Sequence, residues 1–307
     1  MRRVASAAAT LLLVSVVIFS AIHWLPGSYA DVFLGAQPTP QAKARIEEQF
    51  GLDRPLPIQY LKWIASAAEG DFGESLVTQR PVVEEFGLRL PVTAELALMA
   101  TALALVIGIP LGILGGLAGG RPWSRGLFRL WGSLAMSVPD FVIGSLLLYI
   151  LTRFGSGVGD WVPASSDLAG NLWATAIPAC ALASLGVGFI MTTARHATIS
   201  VRGAPWVLAA TARGKSNSTI VRQHIVKNAA IPVVTVVAIY LGYMLGGTAV
   251  IESLFTIPGV GRYILQAVSL RDYPVVQGGV LLAATVFIVL NMTADLLYAM
   301  LDPRIRA

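Results

Sequence analysis

The chain has 307 residues, of which 55% are apolar and only 13% charged, and its mean hydropathy is +0.71. A soluble domain carries roughly 25% charged residues, so the composition argues against an ordinary soluble enzyme and points to an integral membrane protein. The net charge of +5 and the pI near 9.6 would by themselves suit a nucleic-acid binder, but the positions of the basic residues, taken below, fit a membrane orientation signal and not nucleic acid. Cys180 is the one cysteine; it allows no internal disulfide and says nothing of the redox compartment.

Six apolar stretches reach the length of about 20 residues that a helix needs to cross a bilayer. The first, Val4–Leu25, follows Arg2 and Arg3. A basic start and an apolar core are also what a signal peptide has, but a signal's core is about 7–15 residues long. The longer run predicts a retained spanning helix. Pro26–Glu95 comes next, with ten acidic and six basic residues. Helical spacing of apolar residues at Gln41–Phe50 and Ile58–Ala68, with turns at "GLDRPLP" and "EGDFGES", predicts a small helical cap on the outer face.

The remaining runs are Leu96–Ala118, Leu130–Leu151, Leu172–Ala194, Ala229–Ile251 and Gly278–Met300. A membrane barrel would show short alternating segments instead. Gly and Pro recur inside them, as in "VIGIPLGILGGLAGG", where small residues let helices pack closely. The third run holds Asp140 just after Pro139. An intramembrane acid is costly and faces an interior or a cavity, so Asp140 is either a lining residue for a cationic group or a local acceptor beside the proline break. The sixth run holds Asp295, four residues after Asn291 and on the same face. A structural partner, such as an Arg reaching in from the cytoplasmic side, is favoured for Asp295 over substrate contact.

Between the fourth and fifth runs lies "RHATISVRGAPWVLAATARGKSNSTIVRQHIVKN", Arg195 to Asn228, with six Lys or Arg, two of the three His and no acid. With the N-terminus inside, the inner segments hold 13 of the 22 Lys and Arg. Six of the outer nine sit in the long 26–95 region, where they count little. Both termini and this loop are therefore predicted to be cytoplasmic. Within it Pro205 suits the first turn of a helix, Gly214 a left-handed helix end, and Ser216, Asn217 or Ser218 the cap of a second helix. Ile220, Val221, His224, Ile225 and Asn228 follow at helical spacing. Two short helices on a Gly turn make a shape that fits a partner's groove. After the fifth run, Pro258-Gly259 and Gly261 predict a tight turn followed by a short helix.

Chemistry on this chain is not expected. Gly214-Lys215-Ser216 is like the end of a phosphate-binding loop, but Ala209 stands where the leading Gly belongs and the context is helical. His23, His196 and His224 show no metal spacing, and no nucleophile–base set is visible. An ion-coupled secondary transporter using Asp140 and Asp295 would show internal repeats with paired broken helices, and no convincing repeat is seen.

The residues also carry a resemblance. "LAATARGKSNSTIVRQHIVKNAAIPVVT" resembles the cytoplasmic signature of permease subunits of ATP-binding-cassette importers: two Ala, then a Gly four residues after the second, here Ala209, Ala210 and Gly214. His224, Asn228 and Ile231-Pro232 are similar to the form found in the dipeptide, oligopeptide and nickel branch, as are "FGLDRPLPIQYLKWI", "GGTAVIESLFTIPGVGRYI", "RDYPVVQGGVLL" and "ADLLYAMLDPRIR". The chain departs from the pattern at Leu208, where many members have an acid, after Gly214, and at Asp140.

The resemblance implies an all-α integral membrane protein with six transmembrane helices, a type I importer permease. It divides the chain into a first helix at 1–25, an extracytoplasmic segment at 26–95, and a five-helix core at 96–307 that carries the coupling loop 195–228. It implies partners: a second homologous permease, two cytoplasmic ATPase subunits and an extracytoplasmic binding protein, in the cytoplasmic membrane of a prokaryote and in contact with its lipid. ATP and Mg would sit on the ATPase chains, with no cofactor here. Leu208, Ala209, Ala210, Gly214, Lys215, Ser216, His224 and Asn228 become the expected ATPase-docking loop. Asp140 and Asn291 become candidates for the translocation path. The expected cargo is di- or oligopeptide, with nickel or a metal chelate as the alternative.

Overall fold

The computed structural model describes residues 2–24, 34, 39–50, 53–118, 122–154 and 168–301. Twelve helices are used below: α1 Arg2–Trp24, α2 Pro40–Phe50, α3 Leu56–Ala68, α4 Val82–Leu117, α5 Pro122–Ser137, α6 Asp140–Phe154, α7 Leu168–Arg202, α8 Pro205–Ala212, α9 Asn217–Ile220, α10 Lys227–Leu254, α11 Val260–Leu270 and α12 Tyr273–Leu301. Among the described residues there is no strand, only an isolated bridge between Glu74 and Pro81. Four helices are long and apolar enough to cross a membrane, and the number rises to six if each of two bent helix pairs counts as one span.

Those bent pairs are the third and fifth runs. The third run is two helices, because Pro139 cannot continue α5 and forces the preceding residue out of the helical region; the parts on either side meet at 91°. The fifth begins well before Ala229. The chain passes from α9 through a π-helical turn, Val221–Val226, straight into α10, with a 42° bend at Pro232. The second and fourth helices overrun their apolar cores. α4 starts fourteen residues before Leu96, with Glu84 and Glu85 in its first turn, where acids suit the exposed N–H groups. α7 continues through Arg202.

The chain divides into two compact units, 1–92 with 258–288, and 93–257 with 289–307. The first has a core of Ile22, Val82, Phe86, Val260, Tyr263, Ala267, Tyr273, Val275 and Val276. A buried carboxylate organises its turns. Asp272, 2% exposed, accepts from Ser75 Oγ at 2.5 Å and from the N–H groups of Leu76 and Val77 at 3.1 and 3.4 Å. Glu85 is paired with Arg89, whose guanidinium lies 4.3 Å from the Tyr263 ring.

In the second unit α7 packs against α5, α6 and α10. α4 meets it through Gly108, Gly112 and Gly116, spaced by four. A Cβ at Gly112 would lie 2.6 Å from the Ala194 Cβ, and one at Gly116 would lie 2.5 Å from the Thr198 Cβ. This is close packing by small residues, the device of helices that gain nothing from hydrophobic burial against lipid. At the far end of α10, Glu252 is fully buried and accepts from Thr93 Oγ1 at 2.8 Å.

Candidate functional site

The basic loop is a built structure. Arg202 donates to the Leu117 carbonyl at 2.8 Å, so the end of α7 caps the end of α4. Ala204 turns the chain in extended conformation and Pro205 opens α8. α8 stops at Gly214, whose φ is +76°. The Gly214 N–H reaches the Thr211 carbonyl at 2.9 Å and the Lys215 N–H reaches that of Ala210 at 3.2 Å, the paired bonds that close a helix on a left-handed residue. Ser216 then caps α9 by accepting from the Thr219 N–H. Underneath, Ala204, Val207, Ala210, Ile220 and Ile225 form a buried cluster with Leu117, Val201 and Val221 packed against it.

The expected docking residues therefore divide in two. Leu208, with the neighbouring Trp206, is exposed at 60% and 55%; Gly214, Lys215 and Ser216 are exposed and Ala209 is half-buried. Ala210 faces inward, 4% exposed. His224 and Asn228 are half-buried and tied together, with Asn228 Nδ2 donating to the His224 carbonyl at 2.6 Å. Of the six basic residues, Arg202, Arg213, Lys215, Arg222 and Lys227 are exposed, but Arg195 is not. It lies 8% exposed against the Gly115 side of α4, and its Nε has no hydrogen-bond partner among the described residues. Charge counting treats Arg195 as loop, and only the extension of α7 turns it into the helix bundle.

Asp140 lies at the 91° corner. It is 5% exposed and opens α6, its Oδ1 accepting from the Phe141 N–H at 2.8 Å. A helix N-terminus favours a carboxylate there. Its Oδ2 accepts from the Tyr243 hydroxyl of α10 at 3.4 Å. Gly247 makes the approach possible, since a Cβ there would lie 3.3 Å from Oδ2. Tyr243 was not legible as Asp140's partner, because the two are far apart in sequence. One turn back, Tyr240 is buried and donates to the Leu182 carbonyl at 3.0 Å.

Asp140 and Asn291 are not brought together in one pocket. Asn291 is exposed on α12. Its neighbours Leu290 and Thr293 line a cavity of about 360 Å³ with Leu105, Val226, Val233 and Leu241, and the lining is almost wholly apolar. This cavity lies beside the π-helical turn and the Pro232 bend, and the start of α10 lines it. The Asp295 side chain lies outside the described residues. No group of three or more His, Cys, Asp or Glu that suits a metal occurs among the described residues.

Among the described residues the chain is helical, with broken spans and a capped basic loop, as the importer-permease resemblance implies. The fold is similar to that of a chain of the MetNI methionine ABC transporter in inward-facing conformations, with a TM-score of 0.54 and 18% identity over 71% of this chain and 96% of that one. The family model "Binding-protein-dependent transport system inner membrane component" matches residues 108–307, and its N-terminal companion matches residues 1–97. The chain belongs to this family. It is 33% identical to the dipeptide transport system permease protein DppB of Alkalihalophilus pseudofirmus, covering 100% of this chain and 98% of that protein. It is 35% identical to the glutathione transport system permease protein GsiC of Salmonella paratyphi A, covering 97% and 95%.

Proposed function

We propose that this chain is the permease subunit of an importer that carries short peptides across the cytoplasmic membrane, working with a second homologous permease, two ATPase subunits that hold ATP and Mg, and an extracytoplasmic binding protein. The peptide cargo is supported by the relatives, which are dipeptide and glutathione permeases by name. The observation that carries the mechanism is the 203–228 loop. Its exposed Trp206, Leu208, Arg213 and Lys215 stand on a capped scaffold continuous with α7 on one side and α10 on the other. A partner that grips this surface moves two core helices at once.

In this reading both termini and the loop face the cytoplasm. The loaded binding protein docks over 26–95 and 252–275. ATP binds the closed ATPase dimer better than the open one, and that difference supplies the bias. The movement enters the bundle through the π-helical turn and the Pro232 bend. Asp140 and Asn291 belong to the path, Asp140 meeting the peptide's amino group, and Asp295 serves structure.

The deciding experiment is isolation of the tagged chain in mild detergent with its companions, followed by ATPase assays. Two ATPase chains and a second permease, with hydrolysis raised by a binding protein carrying peptide, are the expected result. A chain that purifies alone and transports on a proton gradient without ATP overturns the reading, and a binding protein loaded with nickel or a metal chelate redirects it. Gly214→Trp is expected to leave the chain in the membrane while uncoupling hydrolysis from uptake; unchanged uptake removes the docking role. Unchanged uptake of every substrate by Asp140→Asn removes Asp140 from the path.

A further inference from the structure

α3 carries an apolar face, Ile58, Leu61, Ala65 and Ala68, that no described residue covers, while Tyr60 and Trp63 are half-buried on another side. Its 13 residues, LPIQYLKWIASAA, carry one charge, Lys62, and none of them is buried. Leu56, Ile58 and Leu61 are exposed at 51%, 47% and 63%, and Ala65 and Ala68 are exposed beside them. A helix that caps a membrane protein in water keeps a polar face toward the water. α2, in the same segment, is of that kind, with Lys43, Arg45, Glu47 and Glu48 in 11 residues. α3 keeps only a narrow polar stripe, Gln59, Lys62 and Ser66, of which Lys62 alone is exposed.

Its contacts place it at depth. α3 packs on α1, the helix whose Ala5–Trp24 stretch is apolar enough to span and whose Leu12, Leu13, Val16 and Val17 are exposed. Tyr60 and Trp63 of α3 lie against the Phe19 ring, at centroid distances of 5.4 and 5.8 Å. The Tyr60 hydroxyl bonds Ser15 Oγ at 2.8 Å. At about 1.5 Å per residue, Phe19 lies about 7 Å and Ser15 about 13 Å along the axis from Trp24. The polar contacts of α3 lie at the other level: Gln59 Oε1 is 3.3 Å from His23 Nε2, close to the end of α1, and its Nε2 donates to the Arg54 carbonyl at 2.7 Å. So the polar side of α3 meets the outer end of α1, and its aromatic side meets the middle.

We infer that α3 is submerged in the membrane, lying in the leaflet into which α1 emerges, with Leu56, Ile58 and Leu61 in contact with lipid acyl chains. In-plane helices sit about 5–10 Å below the headgroup boundary, which is the depth of Phe19. Tyr60 and Trp63 have the amphipathic rings that gather at this level, and Lys62 has a stem long enough to carry its ammonium back to the headgroups. α3 packs on a helix that is apolar enough to span and that exposes Leu12, Leu13, Val16 and Val17, which is why acyl chains, and not another protein, are the occupant. The cap expected of residues 26–95 is then water-facing at α2 and lipid-facing at α3.

The test uses nitroxide scanning of the assembled importer in nanodiscs. With Cys180→Ser as background, labels are placed singly at Ile58→Cys and Leu61→Cys, with Leu13→Cys as the lipid reference and Glu69→Cys as the water reference. Collision with oxygen is compared with collision with a water-soluble nickel chelate. The expected oxygen-to-chelate ratio at 58 and 61 matches that at 13 and is several-fold above that at 69. A ratio like that at 69 overturns the inference. So does a water-like ratio that becomes occluded only when the binding protein is added, which makes α3 a docking face, or a label immobilised and shielded from both reagents, which makes it a permease–permease contact.

Discussion

The loop at 203–228 and the loop at 252–276 each join two long helices, the first through two short ones and the second through one, and they do it by different physics. In the first, the left-handed helix end is a glycine, Gly214, and the fold is local: a proline start, one serine cap and a small cluster of Ala, Val and Ile. In the second, the left-handed positions are Thr256 at φ +60° and Arg271 at φ +56°. Each closes its helix with a bond of the same type, from Ile257 N–H to the Glu252 carbonyl at 2.8 Å and from Asp272 N–H to the Ala267 carbonyl at 2.8 Å. A side chain in that conformation costs about 1–2 kcal/mol and persists only where the surroundings over-determine it. Buried carboxylates supply that here, Glu252 to Thr93 and Asp272 to the 75–77 turn. Apart from Leu117 of α4, the first loop takes its shape from residues within it or next to it in sequence. The second is held by residues far away in sequence, which suits a fixed platform.

Removing the remote holds should do the most damage. Asp272→Ala leaves Ser75 Oγ and the Leu76 N–H without their carboxylate acceptor, and is expected to cost about 3 kcal/mol or more, read as a lower Tm of the purified chain. Asp272→Asn should recover part of it, and an unchanged Tm would show that the second loop is not held there. Glu252→Ala is expected to cost about 2 kcal/mol and Glu252→Gln distinctly less, since the amide oxygen still accepts from Thr93.

A pair of exchanges at the left-handed positions sharpens the comparison further, because the two should have opposite signs. Gly214→Ala is expected to destabilise by about 1 kcal/mol although nothing stands within 4 Å of its Cβ. Thr256→Gly should be neutral or stabilising by about 1 kcal/mol, as strain is released against added chain entropy. Equal effects would erase the distinction. The smallest effect is expected from Tyr243→Phe, which removes one 3.4 Å bond from Asp140 and should cost about 0.5–1 kcal/mol, with hydrogen exchange rising at the start of α6.

Much of this was legible without coordinates wherever the cause is local. The apolar runs, the helices at 41–50 and 58–68, the proline start, the Gly214 turn and the Ser216 cap each depend on a few adjacent residues, and the family match rests on the same strings. The structure decided what depends on distance. A proline in an apolar run does not announce whether it bends a span or breaks it, and Pro139 makes a 91° corner because α5 and α6 both find partners on α7. Arg195 counts as a loop charge until α7 is seen to run on to Arg202. Ala210 shares a signature with Leu208 and Gly214, yet it turns inward into the cluster beneath α8, while His224 and Asn228 are half-buried. α3 reads as part of a small helical cap from its periodicity, and only the structure sets Tyr60 and Trp63 against Phe19 and Tyr60 against Ser15. Turn chemistry and periodicity are set within one or two helical turns of sequence, whereas burial is a property of what else arrives at the same point in space.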